Sequence, residues 1–414
     1  MTKFRWSLIK TTALLIPMVL LTSNSYAAVK AGSPCTKAKL ISISGGKVYT
    51  CVKSGKKLVW NKGEVISQTL SYDTAPTDKN PATAPSPSAS QSPSPSPTQA
   101  PWDAAAAVSA KAPTSFDDLV ENYKGIAHAA WSKSREKILT SNKTEITLRV
   151  VLGPNTQLTY KEPQTAIDLV TKLYSGYPTS AEISYLAFNY QDRDWATNQM
   201  ESILPNSGSG WVKDVACATL ETCWGGGAFS NGSGKYLIVE TMGSTDANHL
   251  SGALEAHEFT HIVQQMSFKK GRPAQAYLYD PWPPNWYWEG QAHFAQHASV
   301  YFDSFETYMK ERKATAQDLY RDPIFTSEHI RKFFVFNAPA DWQKNYERWH
   351  QYDLGAMFVE ILTALKGPES TMEMWRITGT GVNFPEAFEK VYGVPFDKAL
   401  PIMAKAIALE LGRS

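Results

Sequence analysis

Cysteine is scarce in this chain: four copies in 414 residues, at 35, 51, 217 and 223. That rules out a disulfide-dense miniature scaffold, and neither local pair has the close ligand spacing of a cysteine zinc site. Histidine is thin too, with eight copies, so two of them in register stand out. Charged side chains make up 19% of the residues, below the roughly 25% of an average globular protein. No apolar run reaches the roughly 20 residues that a membrane-spanning helix needs. The longest near the start, Thr11 to Leu21, is too short, and no later segment does better.

That short run follows Lys3, Arg5 and Lys10 and precedes Ser25-Tyr26-Ala27, the pattern of a secretory signal peptide over residues 1–27. A retained N-terminal anchor is the alternative. Export implies a secreted or cell-wall-associated chain in an oxidising setting, where the four cysteines are expected to pair as Cys35–Cys51 and Cys217–Cys223. The net charge of +2 hides an uneven distribution. Residues 28–72 hold eight Lys against Glu64 alone, a balance of +7, and with three positive charges in the leader that leaves −8 from Asp73 onward. Residues 28–72 read as a small basic module, with a hairpin of Lys47–Lys53 and Lys57–Asn61 about a Ser54-Gly55 turn. Its lysines suit an anionic cell-envelope polymer, or they are simply a solvated face; export makes nucleic acid a poor partner. Residues 73–101 follow as a linker, with seven Pro and six Ser between Pro81 and Pro101 and no charge. Such a stretch buries no core and spans roughly 65 Å at about 3.1 Å per residue.

Residues 102–414 have the composition of a globular enzyme, long enough for two lobes. The periodicity predicts helices at Phe116–Leu139, Gln164–Tyr174 and Arg193–Leu204, with strands at Glu145–Leu152, Glu182–Asn189 and Tyr236–Met242. Beyond residue 246 nearly everything reads as helix, most clearly at Phe302–Ala314, Gln351–Lys366 and Asp397–Leu411. The expected class is α+β: a mixed sheet lobe at 102–245, then a mainly helical lobe at 246–414.

At the junction stands His257-Glu258-Phe259-Thr260-His261. On a helix, positions 257 and 261 lie one above the other, so both rings can reach one Zn2+ ion. Glu258 is turned about 100° away, beside the metal, where a base acting on water belongs. Asp246 or Asn248 is expected to cap this helix, which runs to about Phe268. A catalytic zinc takes three protein ligands, so one must come from elsewhere. The leading candidate is Glu289, in Trp286-Tyr287-Trp288-Glu289-Gly290-Gln291-Ala292-His293-Phe294, 28 residues after His261. Here the chain resembles the gluzincin clan of metallopeptidases over residues 235 to 411. The resemblance implies a zincin-like fold and, as third ligand, a Glu on the following helix in a Glu-Gly-x-Ala setting. His293, one turn later, is the rival ligand or a partner that orients a carboxylate. His297 extends the same stripe and reads as an exposed or merely hydrogen-bonded ring.

Tyr352-Asp353-Leu354-Gly355-Ala356 is similar to the Tyr-x-x-Gly-Ala segment of the aminopeptidase-like branch of that clan. The likeness implies that the Tyr352 hydroxyl donates to the oxyanion, with His350 as an alternative donor and a packed core tyrosine as the plain reading. The Gly-x-Met-Glu-Asn segment of those aminopeptidases is missing, which favours an endopeptidase. Peptide is expected to add as a strand along Tyr236–Met242, read as the sheet edge. Gly225-Gly226-Gly227 marks a close backbone approach or a flexible loop. Six aromatics between Tyr277 and Trp288 line pockets or staple a loop. The competing function is an envelope-attached binding protein whose zinc is structural. A third reading keeps the hydrolase and makes its target an amide in a wall peptide cross-link.

Overall fold

Two stretches divide the chain at Asp73 and Thr74, each compact in itself. A computed structural model describes residues 30–35, 41–44, 47–62, 64–65, 104–232, 234–268, 281–335, 347 and 349–413. The expected leader at 1–27 and the spacer at 73–101 lie outside the described residues.

In the first unit, strand β2 (Lys47–Ser54) pairs antiparallel with β1 (Ile41–Ser44), β3 (Lys57–Trp60) and β4 (Glu64–Val65). The β2–β3 hairpin turns at Gly55, whose φ of 60° suits a residue without Cβ. Its core is small: Tyr49, Cys51 and Trp60 are buried, and a disulfide ties Cys51 to Cys35. Lys30, Lys53, Lys56, Lys57 and Lys62 are all exposed.

The second unit is α+β. It opens with helices α1 (Ala104–Ser109) and α2 (Ile126–Thr140). Helix α2 starts ten residues later than its periodicity suggested. Ahead of it lie turns, and a Cβ on Gly125 would stand 2.2 Å from the Lys111 carbonyl oxygen, so the chain is crowded there. Strands β5 (Ile146–Leu152), β6 (Ala181–Phe188) and β8 (Tyr236–Thr241) run parallel, with α3 (Pro163–Leu173) and α4 (Arg193–Ile203) in the connections. Alternate residues of β6 explain how the sheet is covered on both faces. Ile183, Tyr185 and Ala187 join the large core shared with α3 and the later helices, whereas Leu186 and Phe188 meet Met200 and Leu204 around α4.

The sheet order is β5-β6-β8-β7, and β7 (Gly226–Ser230) lies antiparallel to β8. Among the described residues the edge on this side is therefore β7, and Tyr236–Thr241 is an interior strand, contrary to expectation. The three glycines hid this strand, because Gly carries little strand propensity.

Ten helices follow among the described residues: α5 (Ala247–Ser251), α6 (Ala253–Met266), α7 (Asn285–Val300), α8 (Phe305–Thr315), α9 (Gln317–Arg321), α10 (Ser327–Val335), α11 (His350–Lys366), α12 (Pro368–Thr378), α13 (Phe384–Tyr392) and α14 (Phe396–Glu410). The expected continuous helix from Asp246 is broken. Asp246 caps α5, then Gly252 at φ 85° turns the chain before α6 begins. A Cβ on Gly252 would meet the Tyr160 ring at 2.7 Å.

Candidate metal centre

Helix α6 is buried along nearly its whole length, so its two histidines face protein. Helix α7 packs beside it and brings Glu289 opposite them. The His257 and His261 Nε2 atoms are 3.1 Å apart, and Glu289 Oε2 lies 3.2 Å from His261 Nε2 and 3.5 Å from His257 Nε2. Ligands at about 2.0 to 2.1 Å from a tetrahedral zinc stand about 3.3 to 3.4 Å from one another. The three donors thus fit one such ion, and they form the one group of three such ligands among the described residues.

Each ring is held by its other nitrogen. His257 Nδ1–H donates to Gln296 Oε1 and His261 Nδ1–H donates to Gln264 Oε1, both at 2.8 Å. That assignment leaves both Nε2 lone pairs free for a cation. The glutamines are fixed in turn. Gln264 Nε2 donates to the Trp288 carbonyl at 3.1 Å and to Gln291 Oε1 at 2.9 Å, and Gln296 Nε2 donates to Asn248 Oδ1 at 3.1 Å. Gln291 Nε2 reaches Thr371 Oγ1 at 2.8 Å. The Trp288 indole lies flat on the His261 imidazole, centroids 3.9 Å apart and planes 8° apart. Burial pushes the His257 ring down to about 4, with His261 adding and Glu289 opposing, so the ring is neutral at pH 7. Burial raises the Glu289 carboxyl, but the two facing rings, His261 foremost, outweigh it and hold it below the usual carboxylate range.

Glu258 is buried beside this triangle. Burial, with the Glu289 charge behind it, pushes its carboxyl well above the usual range. Its Oε1 faces the edge strand: a Cβ on Gly226 would sit 2.9 Å from it. Close approach is therefore the role of that glycine. Behind Glu258, the Tyr185 hydroxyl contacts Glu240 Oε2 at 2.8 Å and Glu255 Oε1 at 3.1 Å. One hydroxyl has one proton to give, so one of these carboxyls must itself supply a hydrogen. Burial pushes both up, Glu255 to about 7.

No family model, curated protein or solved structure matches the chain.

Tyr352, in the first turn of α11, stacks 5.9 Å from the His257 ring at 26°, so it borders the triangle. Glycine brings it there. A Cβ on Gly290 would lie 2.2 Å from the Gly355 carbonyl carbon, and one on Gly355 would lie 2.1 Å from the Trp286 carbonyl oxygen. The α7 and α11 backbones touch at that crossing. His350 instead packs edge-on to Phe325 at 4.8 Å, and burial lowers it to about 4. His293 stands outside the triangle, with Nε2 3.3 Å from Asp353 Oδ1. His297 is buried and not exposed, with Nε2 3.2 Å from Gln296 Nε2. Of the aromatic cluster, Trp282, Trp286, Tyr287 and Trp288 are buried, and Trp288 touches a histidine of the triangle. Trp286 Nε1 donates to the Phe334 carbonyl and the Tyr287 hydroxyl to that of Thr371, which makes staples of them. Tyr277 and Tyr279 lie outside the described residues.

Gln264, Gln291 and Gln296 went unread in the sequence. A signal existed for two of them: Gln264 lies three residues after His261, and Gln296 seven after Glu289, each on the same helical face.

Proposed function

We propose that this protein is an exported zinc-dependent peptidase of gluzincin type and zincin-like fold, acting as an endopeptidase. The observation that carries the reading is the triangle of His257 Nε2, His261 Nε2 and Glu289 Oε2 at 3.1 to 3.5 Å, with a buried carboxyl next to it. A zinc ion held by His257, His261 and Glu289 would supply an acidified water and polarise the scissile carbonyl. Glu258 then serves as the base: its carboxylate takes a proton from the attacking water and hands it to the departing amine. The raised affinity of Glu258 for protons suits that exchange, because a carboxyl at its usual value is a weak acid–base partner near neutrality. Tyr352 stabilises the developing oxyanion through its hydroxyl, a contribution worth about 2.7 to 4 kcal/mol in comparable sites. An extended peptide pairs along the edge of β7 away from β8, and Gly226 of β7 lets it lie close to Glu258. Two disulfides support an oxidising destination. The exposed lysines of the first unit support contact with an anionic envelope polymer.

The test compares wild type with Glu258→Gln for metal content by elemental analysis and for cleavage of a mixed peptide library by mass spectrometry. Equal zinc in both and cleavage by wild type alone are the expected results. Metal-loaded wild type that cleaves nothing would overturn the peptidase reading and leave a binding protein with a structural ion.

A further inference from the structure

Most tryptophans around the centre are buried: Trp282, Trp286, Trp288 and Trp375 are at most 3% exposed. Two are not. Trp224 is 37% and Trp349 is 39% exposed, and their rings lie 6.3 Å apart although they come from opposite halves of the fold. Trp224 stands two residues ahead of the edge strand β7, and Trp349 immediately precedes α11. From Trp349 the rings continue inward, 5.4 Å to Tyr352 and 5.9 Å from Tyr352 to His257. A row of aromatics thus leads from solvent to the metal triangle.

Both outer rings sit on fixed backbone. The Cys217–Cys223 disulfide closes the loop before Trp224. On the other side of Trp224, the Gly225 carbonyl accepts from Thr241 N at 3.0 Å and from Thr241 Oγ1 at 3.1 Å. The Trp349 carbonyl accepts from Tyr352 N at 3.0 Å, which locks it into the first turn of α11. Rings 6.3 Å apart leave no room for a group between them, since stacking on both faces needs roughly 7 to 8 Å. The pair is therefore one continuous apolar wall rather than a pair of jaws.

We infer that Trp224 and Trp349 form the specificity subsite of this centre, a wall that takes a large apolar side chain of the peptide next to the scissile bond. The inference rests on the peptidase reading and deepens it. A peptide paired with β7 passes Trp224 at the start of that strand and turns alternate side chains toward the helical half, where Trp349 stands. Exposed tryptophans on held backbone are costly in water and strong anchors once covered.

The test uses full-length Glu258→Gln protein, so that binding is read without turnover. Blocked hexapeptides differing at one position, Phe, Leu, Ala or Lys, are titrated by calorimetry and tryptophan fluorescence. The Phe and Leu peptides are expected to bind about tenfold or more tighter than the Ala peptide. Adding Trp224→Ala or Trp349→Ala is expected to cut that preference to about twofold with zinc content and melting temperature unchanged, and Trp349→Phe to restore part of it. In the active enzyme the same changes should raise KM for the Phe peptide far more than they lower kcat. An undiminished preference in both Ala variants, or tighter binding of a soluble glycan oligomer than of any peptide, would overturn the inference. Should Glu258→Gln discriminate peptides through the two tryptophans while wild type cleaves none, the wall stands and the peptidase reading falls. Cleavage indifferent to both tryptophans has the reverse meaning.

Discussion

The two histidines of the triangle each lean on a neutral amide, Gln296 for His257 and Gln264 for His261. Such outer partners fix tautomer and ring direction, and losing one typically costs 10- to 100-fold in metal affinity. We expect Gln264→Ala and Gln296→Ala each to weaken zinc binding by about that factor in a competition titration with a coloured chelator; unchanged affinity would remove the glutamines from the site. The convergence of His257, His261 and Glu289 was legible because a four-residue spacing on a helix and a Glu-Gly setting are local patterns. The amides were not, because which face-sharing polar residue meets which ring nitrogen depends on how α6 and α7 are rotated against each other. His293 shows the same limit: one turn from Glu289, it shares that face and yet meets Asp353 on α11.

Between elements, a close approach runs through Gly290 and Gly355, where α7 and α11 meet backbone to backbone. A methyl group at position 290 has no flexible neighbour to displace, so Gly290→Ala is expected to cost about 1 to 3 kcal/mol by overpacking. It should also weaken zinc binding, because Glu289 rides on the displaced helix. Thermal melts beside metal titrations check this, and a variant as stable and as tightly loaded as wild type would sink it. Most strands and helices were readable from periodicity: β5, β6, β8, α3, α4, α8, α11 and α14 fall within a few residues of their expected spans. The misreadings share a cause. Gly125, Gly226 and Gly252 sit where a backbone, the Glu258 carboxyl and the Tyr160 ring respectively press in, and a glycine required by close approach looks, in sequence, like a breaker or a loop.

At the scale of the molecule, a buried ion cluster ties α8, α11 and α14. Arg312 Nε donates to Glu360 Oε1 at 2.9 Å and Arg312 Nη2 to Glu410 Oε2 at 2.5 Å. Burial pushes the Glu410 carboxyl up to about 7, with Arg312 opposing and Glu360 adding. A carboxyl whose folded value exceeds its usual 4.5 gives its full stabilisation below about 4.5 and loses it as pH rises to about 7. Melting temperatures taken between pH 4.5 and 7.5 with chelator present should therefore carry a fall that Glu410→Gln flattens. An identical slope in that variant would discount the cluster. None of this was visible in sequence, since the three residues lie 48 and 98 positions apart. The amide-held histidines have a consequence at this scale as well. Their rings take direction from partners inside the chain, so a zinc ion would meet a site already aimed by folding. Zinc added to metal-free folded protein is then expected to bind in a single fast phase set by diffusion and exchange, with no refolding lag; a slow phase would count against a preformed site.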